Sequence, residues 1–87
     1  MRLLSNISAV LSYYKSMKTY SEMFAANLVK LRTDMKLSQA ALGDKLGLAQ
    51  RTISNWEHGQ NPNIDGLVRL ADFFDISIDE LVGRTII

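Results

Sequence analysis

The feature that most constrains the fold is a pair of short amphipathic segments joined by one glycine turn, within residues 38–59. A serine can cap the first segment as a short helix, and Gly47 follows it as a left-handed stop, because glycine adopts that conformation without a Cβ penalty. A second helix begins at Gln50, and its inward positions are Ile53 and Trp56. Two helices this close in the chain must cross steeply, so the second one projects its other face outward.

A further helix is predicted before this pair. Phe24, Leu28, Leu31 and Met35 are four, three and four residues apart, which places them on one face of an amphipathic helix. Ser21 is its predicted N-cap, because a serine hydroxyl can accept a hydrogen bond from a free backbone N–H of the first turn.

Two more helices are predicted after the pair. Asn63 can cap the first of them, and Ser77 and Glu80 have the spacing of a capping box that opens the second. The sequence therefore predicts an all-α domain of five helices over residues 21–83, without strands. The inward positions predicted for these last two helices are Ile64, Leu67, Leu70, Ala71, Phe74, Leu81 and Val82.

Size and composition exclude several classes of protein. A chain of 87 residues forms one small domain, and the absence of cysteine excludes disulfides, a thiol nucleophile and cysteine-based metal sites. A single histidine, His58, cannot build a multi-histidine metal centre. No apolar run approaches the roughly 18–20 residues that span a bilayer. We therefore expect a cytoplasmic protein with no enzymatic activity, no cofactor, no metal and no membrane insertion.

The charges are unevenly distributed along the chain. Residues 1–36 carry six basic and two acidic side chains, whereas residues 62–87 carry two basic and five acidic ones. The segment between them is neutral. An anionic partner would therefore meet the first two-thirds of the chain.

The outward face of the second helix of the pair carries the residues Gln50, Arg51, Ser54, Asn55 and His58. The side-chain amides of glutamine and asparagine can both donate a hydrogen bond to adenine and accept one from it, and the arginine guanidinium can donate two hydrogen bonds to guanine. A solvated helix face also favours these residue types, so composition alone leaves the two interpretations balanced. The absence of acidic residues between positions 50 and 56 favours the nucleic-acid interpretation.

Residues 24–82 resemble the helix-turn-helix domain of the XRE family, which includes the lambda-type phage repressors and Cro. The resemblance covers about two-thirds of the chain through several separated motifs. The matching stretches are residues 27–32 (NLVKLR), 37–39 (LSQ), 45–48 (KLGL), 52–59 (TISNWEHG), Pro62 and 76–81 (ISIDEL).

This resemblance implies a compact lambda-repressor-like domain of five helices that binds double-stranded DNA. It implies base contacts in the major groove from Gln50, Arg51, Ser54 and Asn55. The phosphate contacts expected on the same basis come from Gln39, Thr52, Lys45, Gln60 and Asn61.

The family pattern also implies a structural ion pair between Arg32 and Glu57, in the first and third helices. Two positions depart from the pattern. Ala49 replaces the usual hydroxyl residue that caps the recognition helix and contacts phosphate, a loss of about 1 kcal/mol. Gly43 replaces an alanine in the second helix, which preserves close helix approach but weakens the helix by up to about 1 kcal/mol.

Residues 1–20 precede the matched domain and carry an amphipathic helix pattern of their own. Three interpretations remain open for this arm: it packs on its own domain, it buries its apolar stripe against a second copy, or it is a non-native extension. Residues 84–87 form a short tail that ends apolar and can join a dimer contact. The stripe of the arm consists of Leu3, Ile7, Val10, Tyr14 and Met17.

Together these features predict a sequence-specific transcriptional regulator, most simply a repressor that binds a two-fold-symmetric operator as a homodimer. Half-sites about one helical turn apart, 10–10.5 base pairs, are the expected geometry. The alternative is a protein-interaction module with the same fold, such as an antitoxin or an anti-repressor partner.

Overall fold

The computed structural model describes residues 19–85, and every regular element in that range is an α-helix. This confirms the predicted all-α, five-helix class. The additional helix predicted within residues 1–20 falls almost wholly outside the described residues, as do the last two residues of the predicted tail. The division of the chain at residues 20 and 84 stays a prediction. The helices are α1 (Tyr20–Asp34), α2 (Gln39–Leu46), α3 (Gln50–Glu57), α4 (Ile64–Phe74) and α5 (Ile78–Leu81).

Helix α1 begins earlier than predicted, because its N-cap is Thr19 and not Ser21. The Thr19 hydroxyl accepts a hydrogen bond from the Glu22 backbone N–H at 3.1 Å, and the Glu22 carboxylate accepts one from the Thr19 N–H at 2.8 Å. This reciprocal capping box needs an acid three residues after the cap. Phe24 stands at that distance from Ser21, so the prediction was wrong for a local chemical reason.

The other predicted caps are confirmed. The side chains of Ser38 and Asn63 accept hydrogen bonds from first-turn N–H groups of α2 and α4, at 3.0 and 2.8 Å. Ser77 and Glu80 form the predicted capping box of α5, with distances of 2.9 and 3.0 Å. Each such cap contributes about 1 kcal/mol and fixes where a helix begins.

All five helices contribute to one hydrophobic core. Burial of each large side chain stabilises the fold by about 1.5–3 kcal/mol. Two predicted core positions were wrong: Met35 is 49% exposed and Ile64 is 76% exposed. Met35 follows the last residue of α1 and Ile64 is the first residue of α4, so neither belongs to the core-facing turns. The buried core consists of Phe24, Leu28, Leu42, Leu46, Ile53, Trp56, Leu70, Ala71 and Leu81.

Asn27 joins the first helix to the last. Its side-chain amide donates to the backbone carbonyls of Glu80 and Leu81, at 3.3 and 3.1 Å. Those carbonyls belong to the end of α5, where the regular helical hydrogen bonds stop, although the Gly83 N–H also donates to the Glu80 carbonyl at 3.2 Å. The contact therefore anchors a helix of only four residues against α1.

None of the helices between residues 19 and 85 combines the length and the apolar character that crossing a membrane requires.

Candidate nucleic-acid interface

The turn between α2 and α3 depends on two glycines. Gly47 has φ of 69°, the left-handed conformation predicted for it. The Leu48 N–H donates to the Gly43 carbonyl at 2.8 Å, which folds the chain back over the end of α2. A Cβ atom at Gly43 would lie 2.6 Å from the Leu48 carbonyl oxygen. The glycine that departs from the family pattern therefore permits a backbone approach that alanine would obstruct.

Helix α3 has one buried side and one open side. Ile53 and Trp56 are buried in the core, as predicted. Gln50, Arg51 and Asn55, three of the four residues predicted to read bases, are exposed together on the opposite side. The fourth, Ser54, is half-buried, as is Thr52, one of the predicted phosphate contacts.

The remaining predicted contact residues lie on α2 and in the segment after α3. Gln39 is half-buried at the start of α2, and Lys45 is exposed near its end. Gln60 and Asn61 are exposed beyond the last turn of α3. The Gln60 N–H donates to the Asn55 carbonyl at 3.0 Å, which holds this loop against the end of the helix.

Arg32 and Glu57 form a two-pronged ion pair beneath α3. Arginine Nε donates to Oε2 at 2.6 Å and Nη2 donates to Oε1 at 3.1 Å. The arginine side chain is 14% exposed and the glutamate side chain 4%. Arg32 Nη1 also donates to the Leu37 carbonyl at 2.8 Å, so the arginine ties α1, the α1–α2 connection and α3 together.

This environment shifts both ionisation equilibria toward the charged forms. Burial alone would raise the pKa of Glu57, but the hydrogen bonds from Arg32 and Gln39 and the arginine charge outweigh it, so the pKa lies below its ordinary value. The hydrogen bond to Glu57 raises the pKa of Arg32 despite partial desolvation. The pair therefore stays ionised at neutral pH.

A chain of hydrogen bonds runs from this ion pair to the surface through Gln39. The Gln39 amide NH₂ donates to Glu57 Oε1 at 2.9 Å, and its Oε1 accepts from Gln50 Nε2 at 3.3 Å. The family resemblance implies only a phosphate contact for Gln39 and does not reveal this bridging position. No local spacing signals it, because 18 and 11 residues separate the partners.

The first turn of α3 lacks a side-chain cap. Ala49 occupies the N-cap position with extended backbone and makes no capping hydrogen bond, as its methyl side chain requires. At the other end His58 is exposed, and its Nδ1 lies 2.7 Å from the Ser54 carbonyl oxygen. In this contact Nδ1–H donates a second hydrogen bond to a carbonyl that already accepts one from the His58 backbone N–H at 3.1 Å.

The open side of α3 carries no negative charge of its own. The single acid of the helix is Glu57, which is shielded and neutralised by Arg32. Arg51 is exposed on α3, Lys45 and Asp44 are exposed on α2, and Lys36 is exposed in the α1–α2 connection. The surface is therefore mildly positive and rich in side chains that both donate and accept hydrogen bonds.

A capped short helix, a left-handed glycine turn and a second helix with an open polar side define a helix-turn-helix. Residues 28–81, more than half of the chain, match the family model described as helix-turn-helix. The chain belongs to this family, and within it to the XRE type.

Curated relatives of known name include regulators from several bacteria. The chain is 38% identical over 61 residues to the transcriptional activator BcrR of Enterococcus faecalis, an alignment that covers 69% of this chain and 30% of BcrR. It is 36% identical over 58 residues to RstR, the repressor of the cryptic phage CTXphi of Vibrio cholerae, covering 66% of this chain and 52% of RstR. It is 40% identical over 58 residues to the regulator AnsR of Bacillus subtilis, covering 66% and 50%. The chain thus spans about half the length of RstR and AnsR and less than a third of BcrR.

Solved structures with the same arrangement include two of the metalloprotein HppE. The cobalt(II) form with Tris buffer superposes with a TM-score of 0.66 at 35% identity, covering 74% of this chain and 37% of HppE. The iron(II) form with the alternative substrate (S)-1-HPP gives a TM-score of 0.68 at 34% identity, covering 75% and 34%. Between residues 19 and 85 of the present chain, no three histidine, cysteine or acidic side chains are grouped to hold a metal ion.

Proposed function

We propose that this domain binds double-stranded DNA in a sequence-specific manner and regulates transcription, with the open side of α3 in the major groove. The observation that carries the proposal is the shared exposure of Gln50, Arg51 and Asn55 on a helix whose opposite side is buried. The burial of Glu57 supports the proposal, because the single acid of α3 is paired with Arg32 and does not present a negative charge at the surface.

The chemistry of these side chains suits the edges of bases. An amide that donates and accepts together matches adenine N6 and N7, and a guanidinium matches guanine O6 and N7. Each such two-point contact discriminates against the wrong base by about 1–3 kcal/mol. The Gln50 side chain is already oriented, because its Nε2 donates a hydrogen bond to Gln39. The Oε1 and the second N–H of Gln50 are left for a base. Because the side chain is held in place beforehand, less conformational entropy is lost on binding.

Phosphate contacts would position the helix without reading sequence. Lys45, Gln60 and Asn61 are exposed around α3 and have suitable charge or hydrogen-bonding capacity. Gln39 and Thr52 are half-buried and would reach a phosphate only at the edge of the interface. With few cations nearby, non-specific binding should be modest and strongly dependent on salt.

Homodimerisation, a two-fold-symmetric operator and repression are finer parts of the proposal. A small surface with few cations favours two copies on one site, because half-sites one helical turn apart double the contact area. The name of RstR as a phage repressor supports repression, whereas BcrR is named as an activator. Action on DNA inside a bacterial cell would place the protein in the cytoplasm.

Selection of bound sequences from random duplex DNA tests the proposal. The variant Gln50→Ala/Arg51→Ala/Asn55→Ala removes the proposed base contacts, and its side chains are exposed, so the fold should persist. Arg84→Ala is the matched control, since it removes one positive charge from an exposed position beyond α5. Circular dichroism verifies the helical content of both variants.

We expect the unmodified chain and the control to select the same short, two-fold-symmetric consensus and the triple variant to select none. A flat selection by the unmodified chain at low salt would contradict DNA reading and would favour the protein-interaction alternative. A consensus without two-fold symmetry would contradict the dimer and leave base reading in place.

A further inference from the structure

His58 continues the stripe of α3 that carries two of the proposed base contacts. Arg51, Asn55 and His58 are separated by four and three residues, so they lie on one side of the helix, and all three are exposed. His58 is the C-cap of α3, and at a rise of about 1.5 Å per residue it lies about 10 Å beyond Arg51 along the helix axis. The open side of α3 therefore ends in a histidine.

In the proposed complex, the end of this stripe meets the sugar–phosphate backbone. A recognition helix contacts base edges mainly through its N-terminal residues, and the major groove is only about 12 Å wide. A side chain about 10 Å beyond Arg51 therefore reaches the edge of the groove, where the phosphates lie. Gln60 and Asn61, two of the proposed phosphate contacts, are exposed just after His58 in the chain. This location favours a phosphate over a base as the group that His58 contacts.

The hydrogen bond to Ser54 fixes the tautomer of the neutral imidazole. Nδ1 lies 2.7 Å from the Ser54 carbonyl oxygen, which can only accept, so the hydrogen is on Nδ1. A neutral imidazole has one N–H, so its Nε2 carries a lone pair and cannot donate to a phosphate oxygen. Nε2 has no hydrogen-bond partner among residues 19–85. A hydrogen bond from His58 to phosphate therefore requires a second proton, at Nε2.

The acid next to His58 is already neutralised. Glu57 pairs with Arg32 of α1 at 2.6 Å, and its side chain is 4% exposed. Within the range 19–85 no carboxylate forms an ion pair with His58. An imidazolium at this position is therefore available to an anion of a partner.

The charged groups of the other neighbouring helices lie away from the imidazole. Asp44 and Lys45 are in the last turn of α2, which leads into the start of α3 and not its end. Asp65 of α4 faces a cleft that Thr52 and Trp56 also line. Those two residues are more than about 100° around α3 from His58. A phosphate would therefore be the nearest counter-charge of an imidazolium on the open side of α3.

We propose that His58 contacts a DNA phosphate through protonated Nε2, so that each bound chain takes up one proton from solvent. The inference rests on the proposed function, since it adds a contact residue to the same interface. Histidine is the side chain whose charge ordinarily changes between about pH 5 and pH 8. The chain contains one histidine and no cysteine, so a single side chain accounts for the linkage.

Affinity for the selected DNA site, measured at pH 6 and pH 8 in the same salt, tests the linkage. We expect the unmodified chain to bind about tenfold more tightly per bound chain at pH 6, the gain from one charge-assisted hydrogen bond. His58→Gln removes the titrating group and should bind equally at both pH values. His58→Lys is charged at both, and should bind at both about as tightly as the unmodified chain at pH 6.

The fold should persist in both variants. The Ser54 carbonyl keeps the hydrogen bond from the backbone N–H of residue 58, at 3.1 Å, whatever the side chain is. Circular dichroism at both pH values verifies the helical content. Arg84→Ala is the matched control, since it removes a positive charge beyond α5 and should keep the pH dependence of the unmodified chain.

The salt dependence of binding distinguishes a phosphate from a base. Each phosphate that a protein neutralises steepens the slope of log affinity against log salt by about 0.9. We therefore expect a slope steeper by about that amount per bound chain at pH 6 than at pH 8, and no such difference for His58→Gln. A pH-dependent affinity with the same slope at both pH values would assign His58 to a base and overturn the phosphate contact.

The remaining outcomes separate this inference from the proposed function. Equal affinity of the unmodified chain at pH 6 and pH 8, or a pH dependence that persists in His58→Gln, would overturn the role of His58 and leave DNA reading in place. Absence of sequence-specific binding at both pH values would contradict the proposed function, and the role of His58 with it.

Discussion

Replacement of Arg32 by methionine should strongly destabilise the domain. The variant keeps an unbranched apolar side chain but removes the charge that neutralises Glu57, whose side chain is 4% exposed. The carboxylate would keep the hydrogen bond from the Gln39 amide but lose both hydrogen bonds from the guanidinium. Removing one partner of a shielded ion pair leaves the other charge buried without a counter-charge and lowers the free energy of unfolding by about 3–5 kcal/mol. A chain of 87 residues has a total stability of about 4–13 kcal/mol, so a large part of it would be lost.

Urea unfolding followed by circular dichroism measures this loss, and a thermal scan should show a melting temperature lower by about 12 °C or more. The double variant Arg32→Met/Glu57→Met removes both charges. It should be more stable than the single variant by about 2 kcal/mol, because no charge is left unpaired. Lys30→Met is the matched control, since it breaks an ion pair whose side chains are 63% and 62% exposed and should cost less than about 0.5 kcal/mol.

A loss of less than about 1 kcal/mol for Arg32→Met would refute this reasoning, because that is the magnitude of an exposed pair. A double variant less stable than the single one would refute it as well. Either result would mean that solvent or a rearranged side chain stabilises the Glu57 carboxylate.

Three further predictions concern the same elements. The pKa of Glu57 in the folded state lies below its ordinary value of 4.5. The ion pair therefore contributes its full stability above pH 4.5 and loses it as the pH falls through the folded-state pKa. Urea midpoints measured from pH 7 to pH 3 should fall more for the unmodified chain than for Arg32→Met/Glu57→Met. Ala49→Ser should supply the missing cap of α3 and raise stability by about 1 kcal/mol, and an unchanged urea midpoint would contradict this. Gly43→Ala should lower stability by about 1–3 kcal/mol in spite of its better helix propensity, because the new Cβ would lie 2.6 Å from the Leu48 carbonyl oxygen; a gain in stability would show that the turn relaxes freely.

The fold was largely predictable because its signals are local. Helical spacing predicted the buried faces, and the caps at Ser38, Asn63 and Ser77 depend on residues three positions away in the chain. The two wrong core predictions occurred where the apolar spacing extended to the end of a helix. Met35 and Ile64 continue the apolar spacing in the sequence, but one follows its helix and the other begins its helix.

The candidate interface was predictable only in part. Side chains on one helix could be assigned to its open face by spacing, and Gln50, Arg51 and Asn55 are exposed together. The bridge from Glu57 through Gln39 to Gln50 joins two positions of α3 to a residue of α2 that is 18 and 11 positions away in the chain, so no periodicity reveals it. Whether these residues contact bases or phosphates depends on a partner whose contacts the chain alone does not specify.

The most direct test of the central claim measures binding to every single-base variant of the selected site, for the unmodified chain and for Arg51→Ala. If α3 reads bases, the variant should lose about 1–3 kcal/mol of discrimination at one position of each half-site and keep its preferences elsewhere. An equal loss of affinity for all sequences, with every base preference retained, would contradict base reading by α3 and reduce Arg51 to a phosphate contact.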